Sequence, residues 1–164
     1  METTHQQTKD EQFLLKFWGK TDRSSQDASY FHPALFHILD VAHVAVALLD
    51  EGCSQRWRNV LADIFGVYPD ALQKFIPFYV ALHDIGKFSA AFQRQDPLQH
   101  QRLLQEGLTF GRSQDIPHAQ VSRHFIWHEW PDLIKAAISD KNKLILREVT
   151  AGHHGVFSAA SDLG

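Results

Sequence analysis

Apolar residues recur along the chain at three- and four-residue spacing, and no stretch alternates strictly, so the pattern predicts an almost all-α domain. Residues 1–9 are polar and read as a flexible tail ahead of a single domain over 10–164. Within 10–18, Phe13, Leu14, Phe17 and Trp18 lie at helical spacing, and the polar run Gly19–Ala28 follows as a loop. A long helix is expected from His32 to Glu51. Pro33 suits its first turn, and Leu35, Leu39, Ala42, Val46 and Leu49 form its apolar stripe.

A second helix is expected over Gln55–Phe65, and Pro69-Asp70 opens a further segment. Pro77 is placed to start a helix carrying Phe78, Val80, Ala81 and Leu82 up to His83-Asp84, where Gly86 breaks it. Residues 87–94 read as a short helix. Residues 95–116 read as mostly loop, with a short helix near 98–105. Pro117 opens a helix to His128, Pro131 another to Ser139, and a last one runs over 142–151 to Gly152.

A chain of 164 residues with 44% apolar and 21% charged residues is ordinary globular material and fits one domain. Cys53 is the single cysteine, which excludes a disulfide framework or a CxxC zinc ribbon and fits a reducing compartment. Net charge is 16 − 19 = −3, so coating duplex DNA by a broad basic field is excluded, while a local cationic groove is not. The start METTHQQTKDEQ has no secretory pattern, and Val41–Leu49, broken by His43, is too short to span a bilayer. A cytoplasmic protein with no membrane partner is expected.

The count that changes the picture is 11 histidines. His83-Asp84 follows the apolar run Phe78–Leu82 and precedes Ile85-Gly86-Lys87, where an imidazole and a carboxylate are costly unless paired or metal-bound. His153-His154 lies between Gly152 and Gly155, and the glycines let the backbone leave the helix so that both rings can reach one site. His118 lies in the first turn after Pro117. His37 lies among Leu35, Phe36, Ile38 and Leu39, with Asp40 at i+3 placed to orient its second ring nitrogen. Each alone is more often a capped helix end or a satisfied core histidine. Together they adjoin apolar faces on four separate helices.

This order resembles the HD metal-dependent phosphohydrolase superfamily. The segments HPALFHILDVAHVAVALL, FIPFYVALHDIGKFSAAFQ, HAQVS and AGHHG look like the HD nuclease domain of the CRISPR-associated helicase–nucleases of type I systems. The resemblance runs from about Phe17 to Gly155 and implies a helical HD bundle with a metal site between helices. It also implies cleavage of single-stranded DNA in CRISPR interference, with a helicase domain and a guide-RNA surveillance complex (Cascade) as partners. Carried over by motif, His37, His83 and Asp84 hold one metal. His118, His153 and His154, with Asp84 bridging, hold the second, and Lys87 approaches the substrate phosphate or the nucleophile.

The chemistry is coherent. Two cations about 3.5–4 Å apart can activate hydroxide and neutralise a phosphoryl group, with a carboxylate as their bridge. A His-rich set favours divalent Fe, Mn, Co, Ni or Zn over magnesium. Lys16, Lys20, Arg23, Arg94 and Arg112 are candidates for the strand path. The family pattern ends with a further aspartate well downstream of the tandem His. Here only Asp162 follows and no Walker A pattern is present, so the chain reads as an HD domain incomplete at its C-terminus. Two other readings stand: an HD phosphohydrolase acting on a nucleotide or cyclic nucleotide, and an inactive metal-binding or docking fragment. A closed pocket points to the nucleotide, an open groove to the strand.

Overall fold

The computed structural model describes residues 8–22, 24–111, 114–129, 146, 148–150, 152 and 154. Residues 1–7 of the expected 1–9 tail, the helix over 131–139, and His153, Asp162, Arg23 and Arg112 lie outside the described residues. The first helix, α1 (Lys9–Leu14), opens on a reciprocal cap: Thr8 Oγ1 accepts from the Glu11 N–H, and Glu11 Oε2 accepts from the Thr8 N–H.

The chain then departs from the all-helical expectation. Residues Trp18–Thr21 (β1) and Phe31–Pro33 (β2) pair antiparallel, with Trp18 opposite Pro33, Lys20 opposite His32, and an irregularity between Trp18 and Lys20. Phe17 and Trp18 therefore close α1's segment as strand and turn, and His32-Pro33 precedes the long helix. Strands of four and three residues are too short to display a period of two. Gly19 sits at the irregularity, where a β-carbon would stand 2.8 Å from the Ala34 α-carbon and 3.3 Å from His37 Cβ. Lacking one, β1 lies directly on the start of the next helix.

That helix, α2 (Ala34–Ala47), runs on through a π turn over Leu48–Gly52. Its buried face is Ala34, Ile38, Ala45 and Leu49; of the expected stripe Leu49 is buried, whereas Leu39 and Val46 are 42% and 38% exposed. The helix is apolar around most of its circumference, so periodicity does not select the inward side. Helix α3 (Gln55–Phe65) matches the expected span, capped by Ser54 and ended by Gly66 at φ 66°.

A 3-10 turn over Pro69–Ala71 leads into α4 (Leu72–Leu82), which packs along α2. Pro77 lies inside this helix rather than at its start. Burial of Leu72, Pro77, Tyr79 and Leu82 offsets the roughly 3 kcal/mol that an interior proline costs. After Asp84, a 3-10 turn over Ile85–Phe88 leads to α5 (Ala90–Gln93), where Ser89 caps by accepting from the Phe92 N–H. Helix α6 (Pro97–Gln105) is capped by Asp96. Helix α7 (His118–His124) continues as a π turn over Phe125–Glu129. Residues 146, 148–150 and 152 are helical, within the last expected helix and one residue beyond. Among the described residues no helix is long and apolar enough to cross a membrane.

The core forms where α4 meets the end of α7 and the last helix. Tyr79, Leu82, Ile126 and Leu146 are buried there, flanked by Phe65, Phe75, Ile85 and Trp127. The Tyr79 hydroxyl donates to the Leu146 carbonyl at 2.6 Å and also contacts Thr150 Oγ1. Burial pushes the Tyr79 phenol up to about 12.

Two outcomes follow from this packing. Between pH 10 and 12 unfolded Tyr79 loses its proton while the folded residue keeps it, so stability falls as pH rises through that window. The loss from this one group is roughly 2–3 kcal/mol by pH 12. Tyr79→Phe should cost about 1–2 kcal/mol at neutral pH and flatten that part of the decline in urea titrations. At Gly86 a β-carbon would stand 2.0 Å from the His118 carbonyl oxygen, whereas at Gly52 it meets nothing within 4 Å. Gly86→Ala should destabilise by about 1–3 kcal/mol or more, and Gly52→Ala should be neutral or slightly stabilising, as read from paired thermal melts.

Candidate metal centre

The site forms where four segments meet under the end of α4. Leaving the helix at His83, the chain places Asp84 at φ −107°, ψ 12°, and its carboxylate is only 2% exposed. Lys87 follows one turn later, its N–H donating to the Asp84 carbonyl at 2.9 Å, and is itself 7% exposed. Helix α2 brings His37 from one side. Helix α7 brings His118 from the other, seated by the Gly86 N–H donating to Ser122 Oγ at 2.8 Å. The absence of a side chain at Gly86 lets the α7 backbone approach this turn.

The two carboxylate oxygens of Asp84 face different partners. Oδ2 lies 2.9 Å from His37 Nε2, 3.3 Å from His83 Nε2 and 3.0 Å from Lys87 Nζ. Oδ1 lies 3.1 Å from His118 Nε2. His118 Nε2 in turn stands 2.9 Å from His154 Nε2, the rings nearly perpendicular. His83 is oriented by its Nδ1, which contacts the Val80 carbonyl. Burial pushes His37 below the ordinary imidazole value, helped by the Lys87 ammonium and opposed by Asp84. A neutral imidazole is the form that coordinates metal.

Asp84, His118 and His154 form a group whose ligand atoms all lie within 4.8 Å of one another. Two imidazole nitrogens sharing one cation at about 2.0–2.1 Å and 90–110° stand about 2.9–3.4 Å apart. The His118–His154 separation of 2.9 Å meets that requirement, and the carboxylate oxygen completes a mixed nitrogen and oxygen set. The donor chemistry therefore fits a divalent transition metal.

Of the residues expected at the site, His37, His83, Asp84, Lys87, His118 and His154 come together, with His37 directly on the carboxylate. His153 lies outside the described residues. Asp40 does not orient His37: it pairs with His32 Nε2 at 2.9 Å, eight residues earlier across the strand–helix junction, while His37 Nε2 faces Asp84.

Among the strand-path candidates, Lys16 pairs with Glu106 at 3.3 Å, Lys20 is exposed on β1, and Arg94 lines a cleft of about 550 Å³ with His118 and His154. Gln95, Asp115, Ile116 and Pro117 also line this cleft and are solvent-exposed, as is His154, so it is open. Two residues were not anticipated. Phe92 stands with its ring 4.9 Å from His118 and 5.6 Å from Lys87 Nζ, and Gln93 is wholly buried beside them. Both belong to the HDIGKFSAAFQ block, which was the only signal for them.

Comparison with known proteins identifies the family of the chain. The family model described as Cas3, HD domain, matches residues 18–163. The chain is 32% identical over 117 residues to the CRISPR-associated endonuclease/helicase Cas3 of Thermus thermophilus, covering 71% of this chain and 12% of that protein. It is 32% identical over 81 residues to the Escherichia coli protein of the same name, covering 49% and 9% respectively. The chain thus spans about an eighth or less of the length of these relatives. A solved CRISPR-associated protein superposes with a TM-score of 0.72 at 27% identity, over 92% of this chain and 16% of that one. The T. fusca Cas3 crystal structure shares the fold at a TM-score of 0.62 and 23% identity, over 88% of this chain and 15% of that one. The family match over nearly the whole chain places this protein in the Cas3 HD domain family.

Proposed function

We propose that the chain is a metal-dependent nuclease domain that hydrolyses phosphodiester bonds of single-stranded DNA in CRISPR interference, working with a helicase domain and a guide-RNA surveillance complex. The observation that carries the reading is the buried Asp84 carboxylate, with imidazoles converging on both of its oxygens. His37, His83 and Asp84 would hold one ion, and Asp84 with His118, His154 and His153 would hold a second. Bound there, divalent Fe, Mn, Co, Ni or Zn supplies an activated hydroxide and neutralises phosphoryl charge.

The residues of the chain do the rest. Asp84 bridges, since its two oxygens face separate imidazole groups. Burial keeps His37 neutral and so available as a ligand. Lys87 holds a positive charge 3.0 Å from the bridging carboxylate, where a scissile phosphate arrives and where charge develops as the bond breaks. The open cleft past Arg94 and Pro117 admits a continuous strand, which supports the polynucleotide reading over an enclosed nucleotide pocket.

The test is cleavage of circular single-stranded DNA by the metal-loaded chain, with duplex DNA and cyclic nucleotides in parallel. Asp84→Ala should abolish cleavage and lower the metal content of both positions by elemental analysis. Lys87→Ala should keep the metal content and slow turnover by on the order of 10²–10³-fold. Turnover of cyclic nucleotides without DNA cleavage would transfer the site to the phosphohydrolase reading. Near-native cleavage by Asp84→Ala with its metal retained would remove the bridging role.

A further inference from the structure

Gln93 is 0% exposed and has no part in the chemistry above. Its Nε2 donates to the Lys87 carbonyl at 2.7 Å and to the Trp18 carbonyl at 2.8 Å. Its Oε1 accepts from the Trp18 backbone N–H at 3.2 Å, and its own carbonyl accepts from the Trp18 indole N–H at 3.2 Å. A primary amide offers two donor hydrogens and one acceptor oxygen, so all three functions are engaged. A buried polar group satisfied in this way fixes the groups it touches, because each alternative arrangement leaves a donor or acceptor unpaired away from water.

What Gln93 touches is the backbone of Lys87, the residue that brings the ammonium to Asp84. Its neighbour Phe92 stacks on Trp18 with centroids 4.4 Å apart and stands 5.6 Å from the Lys87 Nζ. The Trp18–Phe92–Gln93 unit therefore holds Lys87 from its carbonyl and from beneath its ammonium. A free lysine on a turn has four rotatable side-chain bonds and a strong preference for water. Lys87 is instead 7% exposed and paired 3.0 Å from the carboxylate.

We propose that Gln93 is a positioning residue: by tying the Lys87 carbonyl to Trp18 on β1, it keeps the Lys87 ammonium at Asp84 and away from solvent. Its catalytic consequence rests on the role given to Lys87 above; the positioning itself does not. Gln93 acts through Lys87, so its effect on turnover disappears when Lys87 is absent.

The experiment reads lysine exposure and turnover separately. The intact chain is treated briefly with acetic anhydride, and acetylation at each lysine is quantified by mass spectrometry. In the parent protein Lys87 should be protected relative to Lys20. Gln93→Met, similar in size and without hydrogen bonds, should raise Lys87 labelling about tenfold while leaving Lys20 unchanged. Leu103→Ala, at a fully buried position on α6, is the control that lowers the melting temperature without exposing Lys87.

Where the parent cleaves DNA, Gln93→Met should lower turnover with metal content retained, and the Gln93→Met/Lys87→Ala double variant should be no slower than Lys87→Ala alone. Additive losses, or Lys87 labelling no greater than in the Leu103→Ala control, would overturn the proposal. Should Gln93→Met fail to fold, Trp18→Phe, which removes the indole bond to the Gln93 carbonyl and trims the ring stacked on Phe92, must raise Lys87 labelling in the same sense beyond the Leu103→Ala control, or the proposal falls. Absence of any cleavage by the parent counts against the nuclease reading, and the labelling result then decides the positioning by itself.

Discussion

A carboxylate that is 2% exposed can stay ionised only if its surroundings replace the water it has lost. Asp84 meets this constraint with nitrogen groups from three directions, and the fold is arranged to deliver them. Helix α2 must lie along α4 for His37 to reach Oδ2, and the close seating of β1 over Gly19 sets where α2 begins. Helix α7 must approach the turn after Asp84 for His118 to reach Oδ1, which requires a residue without a side chain at position 86. The C-terminal segment must return to α4, through Tyr79, Leu146 and Thr150, for His154 to stand against His118. Removing the carboxylate would therefore leave a buried ammonium and a ring of imidazoles facing one another, which is a larger loss than one side chain.

The partners of Asp84 are not equivalent in charge. Around Oδ2 one ammonium stands beside two imidazoles, so a cation there meets like-charge repulsion from Lys87. Around Oδ1 the neighbours are His118 and, beyond it, His154. A histidine that coordinates a metal does so as the neutral imidazole, which does not repel a cation. The Coulomb energy therefore differs between the two sides of one carboxylate. The group of ligand atoms that closes geometrically is Asp84 with His118 and His154.

Much of this arrangement was legible in the sequence, for reasons that differ between fold and site. Helix α3 was readable to the residue because Ser54 and Gly66 mark its ends chemically. The start of α4 was misplaced because Pro77 carries a strong local signal that burial of its neighbours overrides. The two short strands were invisible, since their pairing joins residues across a loop and their length leaves no period to detect. His37, Asp84 and His118, singled out in the sequence because few residue types carry such chemistry, converge in the structure. The grouping of His37 with Asp84, 47 residues away, holds, whereas Asp40, offered by a sequence-local argument for the second ring nitrogen of His37, pairs with His32 instead.

Gln93 marks the boundary of what sequence alone can tell. A glutamine in a polar-looking stretch carries no sign of burial; its role appears only when β1, three-quarters of a hundred residues earlier, lies against it. Yet it closes a block that is otherwise locally determined. From His83 to Gln93 the chain supplies the carboxylate, the lysine one turn on, a serine cap that starts α5, the ring beneath the lysine and the amide that clamps it. Because these contacts span at most a few residues, their geometry survives changes in distant loops. The imidazoles of α2, α7 and the C-terminal segment, by contrast, depend on helix packing. A block that encodes both its chemistry and most of its own support constrains nearly every position it contains.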